Sequence, residues 1–363
     1  MIVGILTAKL IERGTLRNIT RMGKRLRIPV YVLPIDGIDL DNQICVGYKW
    51  NGTWEKTICP LPTVIYNRIL ARRVEQSFEV QQLLQGFGNL GIPVFNPGYF
   101  DKGELYKIVG SHPETCHLLP ETEDLQSPLH LKQMLETYGQ LYAKPVQSYA
   151  GKGILRIEHT QNGVLVNSHV NGRQSIQNAS IGRLYEKLSV SRRYKKYVLQ
   201  RGVSLAKVDG HMYDLRALVQ KNRRGEWSVT GIGARVAPQF GIVTHVPNGG
   251  VIRGAEEALV ATFNEKGFYI LEDVKECALK LAKVIEEETP GILGEMSMDI
   301  GVDEWGRPWF FEANAKPGRF DEPDIRKLSI QRILEFCWYL SHKKIVDGEP
   351  AISSRIMLKD KLP

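Results

Sequence analysis

Three groups of residues in the chain have types and spacings suited to chemistry on phosphates. The first is Tyr142-Ala-Lys-Pro-Val-Gln-Ser-Tyr-Ala-Gly-Lys-Gly153, a lysine that closes a strand-like run before a small, flexible loop. Lys144 supplies a point charge, Gly151 and Gly153 let backbone N–H groups close over anionic oxygens, and Ser148 and Lys152 lie in the same loop as candidate phosphate contacts. An ordinary solvated turn with an exposed lysine reads the same way. The second is Gly294-Glu-Met-Ser-Met-Asp299, followed by Trp309-Phe-Phe-Glu-Ala-Asn-Ala-Lys-Pro-Gly318. Asp299 falls in one predicted strand and Glu312 in the next, and Glu312 and Asn314, two apart, share a strand face. Three hard oxygen ligands there suit Mg2+, which takes few carboxylates together with substrate phosphate. Glu312 also abuts Trp309-Phe310-Phe311, where an acid without a cationic partner is costly. The third is Tyr213-Asp-Leu-Arg-Ala-Leu-Val219. Asp214 and Arg216 share a face; they either pair with each other at slight net gain or, with Arg235, line a cationic pocket for phosphoryl oxygens.

Other chemistries lack their signatures. Gly86-Phe-Gly-Asn-Leu-Gly91 satisfies GxGxxG but follows a helix pattern and precedes a strand, the reverse of the dinucleotide fingerprint, so it reads as a helix C-cap and turn. No GxxxxGK[ST], GxSxG or HExxH is present. Five scattered cysteines with no CxxC argue against a disulfide framework or zinc ribbon, and Cys277 and Cys337 fit apolar core positions. The run Arg192-Arg-Tyr-Lys-Lys-Tyr197 could meet single-stranded nucleic acid, but a solvated face leading into a strand is the ordinary use of such a run, and no nucleic-acid partner is expected.

The elements that must position these residues follow from periodicity. The first hundred residues alternate strand-like stretches (2–6, 30–33, 64–66, 92–95) with helix-like ones (16–26, 74–84), which predicts a small parallel α/β domain ending at Asn96-Pro-Gly98. Within it, 44–58 reads as a hairpin around Asn51-Gly52, a pair suited to a type I′ turn. Beyond, helices are predicted at 103–109, 129–138, 180–188, 274–285 and 330–339. Strands are predicted at 141–144, 154–158, 163–166 and 197–200, with hairpins over 215–232 and 296–312. The 363 residues suit two or three domains, and 43% hydrophobic with 24% charged residues excludes a disordered or collagen-like chain. With 48 Lys+Arg against 40 Asp+Glu the net charge is +8, which favours anionic ligands. No stretch approaches the roughly 18 apolar residues of a membrane span, and the opening has neither a basic n-region nor a cleavage site. A cytoplasmic protein with no membrane partner is expected.

Taken in order, Lys102/Lys107, Lys144 with its glycine loop, Tyr197-Val-Leu-Gln200, Asp214-Leu-Arg216, Asp299 and Glu312-Ala-Asn314 resemble the ATP-grasp superfamily. Val64-Ile-Tyr-Asn-Arg68, Leu119-Pro-Glu-Thr122 and Glu312-Ala-Asn-Ala-Lys-Pro-Gly318 are similar to its endospore coat-associated YheC/YheD-type branch. The likeness runs over about residues 1–345, with the nucleotide and metal motifs between 102 and 318. It departs from the wider superfamily in having Glu-Ala-Asn where relatives mostly carry Glu-Val-Asn. The resemblance implies an α/β (α+β) ATP-grasp fold over 101–345, two subdomains clasping ATP. A Rossmann-like pre-ATP-grasp α/β domain would occupy 1–100 and a tail 346–363. It further implies that Lys102 or Lys107, with Lys144, holds the phosphates of ATP, that residues 148–153 form a flap, and that Leu199 and Gln200 meet adenine, with Asp214 in the nucleotide site. Asp299, Glu312 and Asn314 would hold Mg2+ (or Mn2+), and Arg216, Arg235 and Asn314 would serve the reaction. That reaction would be carboxylate–amine or carboxylate–thiol ligation through an acyl phosphate, with spore-coat association. The alternative is a coat-associated protein that binds ATP without turnover.

Overall fold

The structure, a computed structural model, describes residues 1–10, 14–146, 153–160, 163–170, 173–190, 196–237 and 250–343. The flap residues Ser148, Gly151 and Lys152, the basic residues 192–195 and the tail 346–363 lie outside the described residues.

The first sheet holds β1 (Val3–Thr7), β2 (Val30–Pro34), β3 (Ile38–Asp39), β4 (Ile44–Trp50), β5 (Trp54–Pro60), β6 (Val64–Asn67) and β7 (Val94–Phe95). Its helices are α1 (Gly14–Arg25), α2 (Arg72–Glu75) and α3 (Phe78–Asn89). Strands β2, β1, β6 and β7 are parallel, as the βα alternation predicts. The sheet is nonetheless mixed, because β4 joins β2 antiparallel and carries the β4–β5 hairpin. That hairpin turns through three residues between the paired Trp50 and Trp54, not the two of a type I′ turn, with Gly52 at φ +93°. The single helix expected over 74–84 is broken into α2 and α3, with Ser77 at the N-cap position of α3. Gly86–Gly91 is the end of a helix, where the Leu90 N–H donates to the Gly86 carbonyl, the Gly91 N–H donates to the Gly88 carbonyl, and Gly91 has φ +68°.

The second sheet has its own apolar core. Helix α4 (Lys102–Ser111) precedes β8 (Thr122–Asp124), α5 (Pro128–Tyr138), β9 (Gln140–Pro145), β10 (Leu155–Thr160), β11 (Gly163–Val170), β12 (Arg173–Ala179), α6 (Ile181–Ser189) and β13 (Tyr197–Arg201). The strand order is β12-β11-β10-β9-β13-β8. Leu131, Leu135, Leu141, Ile157, Leu184 and Leu199 fill the space between this sheet and α5 and α6.

The third sheet contains β14 (Lys207–Val208), β15 (His211–Lys221), β16 (Trp227–Val236), β17 (Val251–Gly254), β18 (Glu295–Val302) and β19 (Pro308–Asn314). Helices α7 (Ala255–Phe263), α8 (Lys266–Glu288) and α9 (Pro323–His342) accompany it. Period-two alternation sends Tyr213, Leu215, Ala217 and Val219 of β15, with Met296, Met298 and Ile300 of β18, into one core against α7 and α8. Across the opposite face, α9 packs Ile325 and the preceding Phe320 on Leu218. The same helix inserts Ile330, Ile333, Leu334 and Phe336 into the core of the first sheet, so one apolar helix joins two sheets.

Helix α4 starts where Asp101 accepts from the Gly103 and Glu104 N–H groups at 2.9 and 3.1 Å. Such a cap is worth about 1 kcal/mol. Asp101→Ala should therefore lower stability in urea unfolding by about 1 kcal/mol, and Asp101→Ser should restore most of the loss.

Candidate functional site

The face of the third sheet opposite α7 and α8 carries the polar residues. Register pairs Asp214 with Arg235, Arg216 with Asp299, and Asp299 with Glu312, while Asn314 lies opposite Ser297. A bulge makes this possible on β19: Asp299 pairs with Glu312 but Ile300 pairs with Phe310, leaving Phe311 as the extra residue. Phe310 and Ala313 stay in the core while Glu312 and Asn314 turn to the polar face. The extra residue's carbonyl is satisfied by the Tyr106 hydroxyl at 3.0 Å.

The charges on this face are partnered across strands. Arg235, buried, donates to both oxygens of Asp214 at 2.8 and 2.7 Å and reaches Asp299 at 2.9 Å. Burial pulls its pKa down, but Asp214 and Asp299 outweigh that and keep the guanidinium protonated. Asp214 thus pairs with Arg235, not with Arg216 on its own strand. Arg216 lies half-buried with its guanidinium 4.5 Å from the Phe320 ring centroid and makes no ion pair within 4 Å among the described residues. Burial lowers its pKa, Arg235 adds to that, and Asp299 and Glu322 oppose it.

The second sheet brings Lys144 to the same place. Its ammonium donates to Gln200 Oε1 and sits 5.7 Å from the Phe311 ring centroid. Gln200 Nε2 in turn donates to the Tyr106 hydroxyl at 3.0 Å and to Thr122 at 2.9 Å. The relay Lys144–Gln200–Tyr106–Phe311 therefore spans two sheets and α4. Burial, joined by repulsion from Lys102, pushes the Lys144 amine down to about 8 against the pull of Glu312. Burial pushes the Tyr106 hydroxyl up to about 12, which keeps it a donor.

Lys102 binds Glu312 at 2.9 Å, so the acid beside the aromatic run has its cation. Lys107 is exposed and makes no ion pair with these acids. Leu199 is wholly buried in the second sheet's core, so its side chain points away from the site while Gln200 reaches it. Gly153 has φ +79°, a left-handed turn that favours glycine. Of the basic run, Lys196 pairs with Asp124 at 2.7 Å and Tyr197 is a core residue, the ordinary structural uses. Tyr106 and Phe320 escaped the sequence reading. For Tyr106 a signal existed, since it lies four residues after Lys102 and shares its helix face.

The donor set fits a hard divalent cation. The partners of the two acids sit on Asp299 Oδ2 and Glu312 Oε2, and Asp299 Oδ1, Glu312 Oε1 and the side-chain Oδ1 of Asn314 take no hydrogen bond from any described residue. No group of three His, Cys, Asp or Glu forms among the described residues. Two carboxylates and an amide match Mg2+, which completes its shell with water and substrate phosphate, better than they match a fully protein-held metal.

Residues 91–340 match the model of the YheC/D-like ATP-grasp family. The chain belongs to that family. Over 311 residues it is 30% identical to endospore coat-associated protein YheD of Bacillus subtilis (strain 168), covering 83% of this chain and 68% of the relative. Among solved structures it is similar to macrocyclase MdnC bound with precursor peptide MdnA from Microcystis aeruginosa MRC. That likeness has a TM-score of 0.53 and 12% identity over 93% of this chain and 99% of that one. It is also similar to ATP-grasp ligase PsnB complexed with a minimal precursor, with a TM-score of 0.51 and 15% identity over 92% of this chain and 98% of that one. These likenesses show the fold that this chain shares with those two structures.

The two arginines have separable roles. Arg235→Ala leaves two buried carboxylates without their cation and should cost about 3–5 kcal/mol of stability. Arg216→Ala breaks no ion pair and should cost about 1 kcal/mol or less, the scale of a cation–π contact. Urea unfolding of both variants checks the contrast; equal losses would contradict it.

Proposed function

We propose that the chain is an ATP- and Mg2+-dependent carboxylate ligase, joining an acid to an amine or thiol through an acyl phosphate. The observation that carries this reading is the convergence of Lys144 from one sheet and Lys102 from α4 with Glu312, Asp299 and Arg216 on another sheet. Such a site holds cations for phosphate oxygens and acids for a metal. That is the composition phosphoryl transfer uses, since it rests on alignment and charge neutralisation. Mg2+, with Mn2+ as a substitute, would be held by Asp299, Glu312 and Asn314 and would supply positive charge against the phosphates.

In this reading Lys144 and Lys102 hold the phosphates of ATP. Gln200 orients Lys144 through its carbonyl oxygen. Asp299, Glu312 and Asn314 would hold the metal, and Lys102, paired with Glu312 at 2.9 Å, stands beside them as a cation for phosphate. Arg216 faces the transferring phosphoryl and the substrate carboxylate, a contact that strengthens as charge moves. Arg235 and Asp214 orient Asp299. This narrows the two-arginine expectation to Arg216 as the cation able to act directly. The family's curated relatives carry the name endospore coat-associated, which supports placing this chain with the spore coat. It also favours a second reading, ATP binding at the coat without turnover.

Titration of Lys144 gives one test. Bound phosphates favour the ammonium and raise its pKa from about 8. ATP affinity should thus be full below pH about 8 and fall as pH rises beyond it, with proton uptake on binding near that pH. Lys144→Ala should weaken ATP far more than adenosine, and Lys144→Arg should bind ATP without this pH dependence. Calorimetry in buffers of different ionisation enthalpy reads both effects.

Turnover is tested by ADP release with mixed carboxylates and amines. Arg216→Ala should keep Mg-ATP affinity within a few-fold and abolish substrate-stimulated ADP formation. Asp299→Asn and Glu312→Gln should raise the Mg2+ needed for ATP-linked thermal stabilisation. No ADP above background from intact, ATP-binding protein would favour the second reading.

A further inference from the structure

The three residues after Asn314 are each held by a side chain from the first hundred residues. Asn96 Nδ2 donates to the Ala315 carbonyl at 2.6 Å. The Lys316 ammonium donates to Glu75 and, at 3.0 Å, to the Ile69 carbonyl. Arg68 donates to the Pro317 carbonyl. Asn96 also donates to the Glu295 carbonyl at 3.1 Å and accepts from the Gly294 N–H at 2.8 Å. It therefore ties the start of β18, which carries Asp299, to the end of β19, which carries Glu312 and Asn314.

The Lys316–Glu75 pair is unusual in its burial, each side chain being 1% exposed. Asn67 steadies Glu75 Oε1 from 2.8 Å, while Glu75 Oε2 has no hydrogen-bond partner among the described residues. A buried ion pair is a poor way to gain stability, since two apolar side chains of similar volume serve as well or better. What it adds is direction: an ammonium has to meet its carboxylate in one place, whereas apolar groups slide. Here that place is two residues beyond Asn314 and four beyond Glu312.

We infer that Glu75 and Lys316 form a positioning pair, which locks the acid-bearing end of β19 to the first sheet and sets where Glu312 and Asn314 stand for the metal. The inference rests on the Mg-ATP reading above. Neither residue touches the reacting atoms; each acts through the backbone of residues 313–318.

The test separates position from stability. Glu75→Gln and Lys316→Met each leave a buried group without its partner and should lower the melting temperature. The double variant Glu75→Met/Lys316→Met removes both charges at similar volume and should regain most of that loss. It should nevertheless need roughly tenfold more Mg2+ for half-maximal ATP-linked stabilisation, the lower end of what losing an outer-shell partner costs a metal site. Its amides at 313–318 should also exchange faster than those of the unaltered chain with neither ATP nor Mg2+ added. A double variant with the unaltered chain's melting temperature, Mg2+ requirement and exchange would overturn the inference. Should the double variant not regain its melting temperature, Glu75→Asp is read by the same two measurements. It keeps both charges and shortens the arm by one methylene; unchanged Mg2+ requirement and exchange would again overturn the inference. Glu312→Gln is the control for the underlying reading. If the unaltered chain is not stabilised by Mg-ATP, or Glu312→Gln leaves the Mg2+ requirement as it was, the Mg-ATP reading fails and takes this inference with it. If both behave as expected and only the lock variants do not, the inference alone fails.

Discussion

A carboxylate on the inner face of a covered sheet needs a cation, and that requirement organises this molecule. Taking a charge out of water costs several kcal/mol unless it is paired and hydrogen-bonded. Five acids on the polar face of the third sheet, or just behind it, meet this condition. Asp214 and Asp299 share Arg235 from β16, and Glu312 takes Lys102 from α4. Glu75 takes Lys316, and Glu295 is enclosed by Tyr66, Gln220 and, at 3.7 Å, Arg68. The charges are thus cross-links, and the apolar cores supply the bulk of the burial around them.

How much of this was legible in the sequence follows from which interactions are local. Period-two alternation is local, so it was readable that Asp214 shares a face with Arg216, and Glu312 with Asn314. The direction of Gly86–Gly91, helix before strand, was readable for the same reason, and it removed a false cofactor motif. Partner choice is non-local. Nothing within Asp214-Leu-Arg216 announces that Asp214 pairs with Arg235 twenty-one residues on, because that depends on the register of β15 against β16. Asn96 is the clearest case: Asn-Pro-Gly reads as a turn between domains, and its φ of +57° fits one. Yet the side chain is fully buried and ties two distant strands. The break at Gln76-Ser77 and the bulge at Phe311 were likewise hidden, since tertiary packing decides both.

The same contrast explains why the site is firm on one side and soft on the other. The first and third sheets share α9, whose apolar residues enter both cores, and they share the network around Glu295 and Lys316. Relative movement there would expose apolar surface and unpair buried charges at once. The second sheet has a separate core. It reaches the third through single polar or cation–π contacts, chiefly Gln200 on Tyr106, Lys144 over Phe311, and Arg201 at 5.4 Å from the Trp309 ring. Contacts of this kind contribute about 1 kcal/mol each and open singly. Asp299, Glu312, Asn314 and Arg216 therefore stand on one framework of paired strands, while Lys144 meets them from another sheet. Lys144, repelled by Lys102 and drawn by Glu312, stands where an anion between the two lysines would relieve the repulsion.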